Sequence, residues 1–222
     1  MLDLASITEY VPAFLDGFII TAEVSILSIL GSFILGILIA LMRVSSNRFL
    51  NYTSLVYVDL FRNIPFIVLI FFGYYGLPEI GVYMDAFWTG CLVLSIAVGA
   101  YVGETIRAGI LSVEKGILEA ARSFGFSKFQ IYAKIILPIA LTISVRPLGS
   151  VFINLILTTS ILSSITLNEL TGVSKVIAST TFRPFEVYVF LVIFYGLLTF
   201  MISALISLWH RHLNRYLGEE AS

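Results

Sequence analysis

Charge is what this sequence is short of. Of its 222 residues only 12% are Asp, Glu, Lys or Arg, about half the ~25% of an ordinary soluble domain. Hydrophobic residues make up 59% and the mean hydropathy is +1.00. So little polar surface cannot cover a water-exposed globule, so a soluble fold is excluded and an integral membrane protein is indicated. The net charge of −1 lacks the basic surface that nucleic acid requires. Cys91 is the only cysteine, which excludes an internal disulfide and a cage of thiolates around a metal. No Gly-Lys pair occurs, so the chain carries no phosphate-binding loop and cannot be its own ATPase. Neither H-E-x-x-H nor G-x-S-x-G occurs. The two histidines, His210 and His212, flank Arg211 beyond the last apolar run, where interfacial positions are expected rather than metal ligation. No cofactor, catalytic residue or metal site is expected in this chain.

What is there is apolar and long. Charge-free runs cover Val24 to Met42 (19 residues), Asn63 to Pro78 (16), Ala86 to Gly103 (18), Pro147 to Asn168 (22) and Val187 to Trp209 (23). A bilayer core needs roughly 20 helical residues, so five spans are expected, about 14–42, 53–78, 86–108, 134–162 and 185–209, in one transmembrane domain, 1–222. The second would carry Asp59 and Arg62 inside it. The fourth would be one long helix carrying Arg146 and kinked at Pro147. Continuous apolarity without a period of two disfavours strand spans. The first 16 residues hold acids but no Lys or Arg, so the first span is expected to be a retained helix rather than a signal peptide.

Five spans put the termini on opposite sides. One side receives nine basic residues, Arg43, Arg48, Arg107, Lys115, Arg122, Lys128, Lys134, Arg211 and Arg215, and the other only Lys175 and Arg183. The positive-inside rule makes the first side cytoplasmic, with the N-terminus outside and the C-terminus inside.

The polar stretch from Arg107 to Lys134 is internally organised. Ile117, Ala121 and Phe124 recur at helical spacing; Glu119 lies early and Arg122 late, in keeping with the helix dipole. Gly125 stands as a C-terminal stop, and Ser127-Lys128-Phe129-Gln130 has the form of a capping box that starts the next helix. A short amphipathic helix over about 115–124 is predicted, either held off the membrane to meet another protein or lying at the lipid interface.

Here the sequence resembles a family. Glu119-Ala120-Ala121, three residues, Gly125, nine residues, Ile135, one residue and Leu137-Pro138 reproduce the "EAA" loop of permease subunits of ABC importers. Phe61-Arg62-Asn63-Ile64-Pro65 and Gly99-Ala100-Tyr101-Val102-Gly103-Glu104-Thr105-Ile106-Arg107 look like the F-R-x-x-P and G-A-Y-x-x-E-x-x-R segments of polar amino-acid permeases. Asn154, Thr159-Ser160 and Glu169-Leu170 fall at matching later positions. The resemblance covers about residues 14 to 212. It implies an all-α type I importer fold of five transmembrane helices, a second permease subunit identical or related to the first, and a cytoplasmic ATPase dimer that binds ATP and Mg. It also implies a substrate-binding protein outside, and the cytoplasmic membrane of a prokaryote. Glu119, Ala120, Ala121 and Gly125 would dock the ATPase. The sequence departs from the family at Ile117 and Ile139, where glutamine is usual, at Leu157, where lysine is frequent, at Arg146 before Pro147, and at Ser150.

Ionisable groups in a span cost about 2.5 to 3.5 kcal/mol each on insertion scales, so each needs a partner, a cavity or an interface. Arg146 and Glu23 fall at similar depth and could pair; alternatively Arg146 faces the substrate route and holds a carboxylate. Glu23, Asn154, Thr159 and Ser160 are the other candidates for that route. Asp59 and Arg62, three residues apart, are expected to satisfy each other. Pro65, Tyr101, Glu104 and Arg107 are structural or gating candidates. Cys91, Ser95, Gly99 and Gly103 form a small-residue stripe for close helix packing, within the chain or between subunits. A channel or secondary transporter needing no ATPase competes with the permease reading; a membrane-embedded enzyme would need a catalytic constellation, which is missing.

Overall fold

The computed structural model describes residues 4–217, and the side chains of 7–211 apart from Lys128. The side chains of Lys128, His212 and Arg215 lie outside the described ones. All regular structure among the described residues is helical. A 3-10 stretch, Leu4–Tyr10, leads into α1 (Val11–Arg43), which takes Pro12 in its first turn, where the missing N–H has no partner to lose. Next come α2 (Arg48–Asn63), α3 (Phe66–Phe71), a π turn (Phe72–Gly76) and α4 (Leu77–Glu79). They are followed by α5 (Ala86–Leu111), α6 (Lys115–Ser123), α7 (Lys128–Ile131) and a second π turn (Tyr132–Ile136). After these come α8 (Leu137–Thr158), a 3-10 stretch (Thr159–Ile165), α9 (Leu170–Thr181) and α10 (Pro184–Leu217).

Among the described residues four runs are long and apolar enough to cross a membrane, Ile7–Arg43, Ala86–Leu111, Phe129–Ile165 and Pro184–Arg211. The fifth candidate differs from the continuous helix expected over 53–78. It is two pieces, Arg48–Asn63 and Phe66–Glu79, meeting at 104°. Pro65 disfavours a helical conformation at the residue before it, and Ile64 is extended, with φ −96° and ψ 130°. The kink expected at Pro147 is not where the fourth run departs from α geometry. Pro147 lies within an uninterrupted α8, and the departures lie on either side of it, the 3-10 stretch Thr159–Ile165 and, before it, the π turn Tyr132–Ile136. That turn ends two residues before Pro138, as Phe72–Gly76 ends two before Pro78. Proline cannot donate to the carbonyl four residues back and clashes with it. A wide turn loosens the ladder at that point, here with Leu137 N–H donating to Tyr132 O.

Small residues draw α1 and α5 together. Ser28, Ser32, Gly36 and Ala40, each four residues on, are buried on α1 and face the Cys91, Ser95, Gly99 and Gly103 stripe of α5. Ser28 Oγ donates to Cys91 O at 3.5 Å. A Cβ on Gly31 would meet Ser95 Cβ at 2.9 Å, one on Gly36 would meet Val102 Cβ at 2.7 Å, and one on Gly103 would meet Ile39 Cγ2 at 2.8 Å. Rising numbers pair with rising numbers, so the helices run parallel. The stripe therefore packs within the chain. The third long run is antiparallel to these two: Ser144 Oγ donates to Thr105 O at 3.3 Å, and a Cβ on Gly109 would lie 2.6 Å from Ala140 O. Hydrophobic transfer drives little inside a bilayer, so close approach of this kind carries the cohesion.

α9 occupies the connection between the last two long runs, to which counting of apolar runs assigns no helix. Its Leu170 N–H donates to Thr21 Oγ1 of α1 at 3.1 Å. Phe14 of α1 stacks on Phe190 and Phe194 of α10, both at 5.6 Å. α10 is otherwise mostly exposed and apolar, with Val192, Ile193, Leu197, Phe200, Leu205 and Leu208 outward.

Candidate functional site

The polar loop between α5 and α8 is built as its sequence dictates. Glu114 is extended and starts α6. At the other end Gly125 takes φ +77°, its N–H donates to Arg122 O at 2.9 Å, and Phe126 N–H donates to Ala121 O at 3.2 Å. This pair of bonds is the Schellman motif, and the left-handed residue inside it favours glycine. Ser127 and Gln130 then bond reciprocally, Ser127 N–H to Gln130 Oε1 at 2.9 Å and Gln130 N–H to Ser127 Oγ at 3.3 Å. Two consecutive stops and starts hold α6 as a separate rod. The expected face of Ile117, Ala121 and Phe124 is not the buried one. Ala121 is 5% exposed and packs with Val113, Ile131 and Ile136, with Leu118 beside it, whereas Ile117 is 37% exposed and Phe124 82%. The partly buried Leu118 and the buried Ala121 are also at helical spacing, and sequence does not choose between the two faces. Glu119 and Ala120 are exposed. The helix thus keys into the bundle through Ala121 and presents Ala120, Ile117 and Phe124 outward.

A groove runs along α5 and α8 under the bend at Pro65. One part, about 310 Å³, is lined by Phe61, Phe66, Tyr101, Val151, Asn154 and Thr158 among others. The adjoining part, about 500 Å³, shares Tyr101 and Val151 and adds Arg62, Glu104, Thr105, Ser144 and Pro147. Apolar walls with a few polar groups are what a small-molecule route requires. At its edge Glu104 accepts from Arg43 Nε at 3.0 Å and from Arg107 at 2.9 Å. Arg43 ends α1, and its carbonyl in turn accepts from Asn51 of α2, so three helices are tied at the end of the bundle that bears α6.

The remaining candidates are placed as follows. Arg146 and Glu23 are both exposed and, of the ion pairs among the described residues, none joins them, so the expected interhelical pair does not form. Arg146 lies on the exposed strip of α8 with Ile143, Pro147, Ser150 and Asn154. The Asp59–Arg62 pair does not form either. Arg62 lies instead over the Tyr101 ring, 5.2 Å from its centroid, and Tyr101 Oη donates to Arg62 O at 3.3 Å. Asn63 Nδ2 donates to Asp59 O at 2.7 Å. The Tyr101 bond serves a carbonyl that the end of α2 leaves without a helical partner. Asn154 lines the groove; Thr159 is buried with its hydroxyl on Ile156 O at 2.6 Å, and Ser160 donates to Leu157 O at 2.7 Å. Sequence reasoning singled out neither Thr158, in the groove, nor Arg43. A basic last residue of a span reads as an interface anchor until its partner on α5 is seen.

Glu169 is a second polar centre. It is fully buried, caps α9 by accepting from Thr171 N–H at 3.0 Å and Gly172 N–H at 2.9 Å, and accepts from Tyr195 Oη of α10 at 2.8 Å. No group of three or more His, Cys, Asp or Glu among the described residues is placed to hold a metal ion.

Helices that cross a membrane, a groove with isolated polar groups between them, and a polar rod keyed into one end define a membrane transport subunit. The family described as "Binding-protein-dependent transport system inner membrane component" matches residues 32–218. The chain belongs to that family, whose members are transport components of ABC systems rather than enzymes. It is 39% identical over 202 residues to the probable glutamine ABC transporter permease protein GlnM of Bacillus subtilis, covering 91% of this chain and 94% of that one. It is 34% identical over 226 residues to the nopaline transport system permease protein NocM of Agrobacterium fabrum (97% and 94% covered). Among solved structures, an amino acid ABC transporter with histidines superposes with a TM-score of 0.87 at 34% identity, over 96% of this chain and 99% of that one. The inward-facing MetNI methionine ABC transporter matches in fold, with a TM-score of 0.79 at 19% identity, over 93% and 98%.

Proposed function

We propose that this chain is one of two permease subunits of an ATP-driven importer for a polar amino acid, in the inner membrane of a prokaryote, with its N-terminus outside and its C-terminus cytoplasmic. The observation that carries the reading is the division of labour on α6. Ala121 is seated in the same core as Ile110 of α5 and Ile136 and Ala140 of the fourth run, while its neighbours stand free on the side that collects nine of the basic residues. A push on Ala120, Ile117 and Phe124 is passed through Ala121 to the helices that wall the groove. A cytoplasmic ATPase dimer, holding ATP and Mg, supplies the push; an external binding protein delivers substrate; and a second permease copy or relative closes the groove. The relatives' names, which speak of glutamine, nopaline and amino acids, support the substrate class. Movement of one helical body against another around a central site is the usual form of alternating access.

The test separates the two sides of α6. Ala120→Arg alters only the outward side and should abolish co-purification of the ATPase, or uptake, in a normally folded permease. Ala121→Glu should leave the ATPase bound and hydrolysing ATP while uptake fails. Full uptake by Ala120→Arg with the ATPase in place would overturn this assignment.

A further inference from the structure

We propose that Arg62 is the anchor for the carboxylate of the transported molecule, held ready by Tyr101; the inference rests on the permease reading above. Tyr101 lies three residues, under one turn, before Glu104 on α5, near the end of the bundle that bears α6, and the guanidinium over its ring lines the groove there. A cation next to an apolar span belongs against an anion, a carbonyl or water, not lipid. The one acid within its own helical reach, Asp59, does not take it, and the acid across the groove, Glu104, already accepts from two other arginines, Arg43 and Arg107. Arg62 is therefore the uncompensated charge on the wall of the 500 Å³ cavity, beside Thr105 and Ser144.

Its position is fixed twice over. The ring of Tyr101 lies under the guanidinium, and the hydroxyl of the same tyrosine bonds the Arg62 carbonyl. The bend at Pro65 then stops α2 one residue past Arg62, and the side chain lines the larger part of the groove against Tyr101, which both parts share. A planar fork with one face stacked keeps its edge N–H groups for a carboxylate, the bidentate match for which guanidinium is suited. Asn154 and Thr158, in the adjoining 310 Å³, lie where the rest of a polar amino acid would extend. Arg146, though charged, is not among the residues lining either part.

The test uses the complete transporter in detergent, permease with ATPase and without the binding protein. Equilibrium binding of each of the twenty common amino acids is measured, and then of the decarboxylated amine corresponding to the one bound best. The wild type should prefer the acid. Arg62→Ala should lose roughly ten- to a hundredfold in affinity for the acid and nothing for the amine, Arg62→Lys should lose part of that preference, and Arg146→Ala should keep all of it. Equal losses for acid and amine, unchanged affinity in Arg62→Ala, or no amino acid bound by the wild type would each overturn the proposal. ATP hydrolysis stimulated by the loaded binding protein in reconstituted wild type reports separately on the permease reading.

Discussion

The crossing of α1 and α5 invites a one-atom perturbation. Gly36→Ala adds a single Cβ that would lie 2.7 Å from Val102 Cβ and 3.0 Å from Gly103 N. A change of Val102 rotamer moves its methyls but not its Cβ, and a backbone nitrogen has no rotamer at all. The helices themselves must therefore part by about 1 Å to restore an ordinary carbon contact. A gap of that size forfeits a quarter to a half of each dispersion well along the seam, and overpacking of this kind costs about 1 to 3 kcal/mol. For a chain of this length that corresponds to a fall of roughly 2 to 12 °C in Tm. Gly196→Ala in α10 is the control: nothing lies within 4 Å of its added Cβ, and glycine to alanine inside an open helix gains about 0.5 to 1 kcal/mol. The assay is thermal unfolding of the purified transporter followed by permease aggregation. Equal Tm values for the two variants would refute the argument that the paired small-residue stripes set the helix separation.

Three further outcomes follow from the polar centres. Glu104→Gln keeps the shape of the side chain but leaves two arginines short of a charge, and should cost roughly 1 to 3 kcal/mol at this half-screened end of the bundle; adding Arg43→Met should cost less than the sum of the two single changes, which a double-mutant cycle on Tm reads. Glu169→Ala strands two backbone N–H groups at a buried helix start and leaves the Tyr195 hydroxyl to Thr171 Oγ1, at 3.1 Å, and should cost about 2 kcal/mol or more, whereas Glu169→Gln, still able to accept, should cost less; the reverse order would argue against the capping role. Gly125→Val should fray the end of α6, because φ +77° strains a β-branched residue, and should lower coupled uptake while leaving binding of substrate in the groove intact.

What the sequence made legible was local or one-dimensional. Apolar runs locate four of the crossing helices because length and continuity need no tertiary knowledge. Gly125, Ser127 and Gln130 announce their own bonds because caps are made by neighbours in the chain. The break at Pro65 was present as a proline in a run read as continuous, and the outcome turned on Ile64 leaving the helix. The two ion pairs failed for a different reason. Depth arithmetic gives height along a helix and says nothing about direction around it, so Arg146 and Glu23, expected at one level, are both exposed and unpaired with each other. Asp59 was near enough to Arg62, but Tyr101, 39 residues on, offered both a ring and a hydroxyl. α9 escaped because twelve residues holding Lys175 are neither long nor apolar enough to announce a span; its place is fixed by Glu169, Tyr195 and Thr21 from three parts of the chain.

The wide turn at Tyr132–Ile136 bears on how two faces of the molecule are indexed. Ile131 and Ile136, five apart, are both buried, and Ala140 follows at the ordinary four. The buried stripe thus slips by one position as it passes the turn, which offsets the residues beyond it by about 100° from the register of those before. α7, at the end of the loop that holds α6, and the strip that carries Pro147 and Asn154 are parts of one helical rod with two phases. Deleting one residue within 132–136 would keep the rod and both of its sequences, yet turn the groove wall away from the groove while the loop stayed in place.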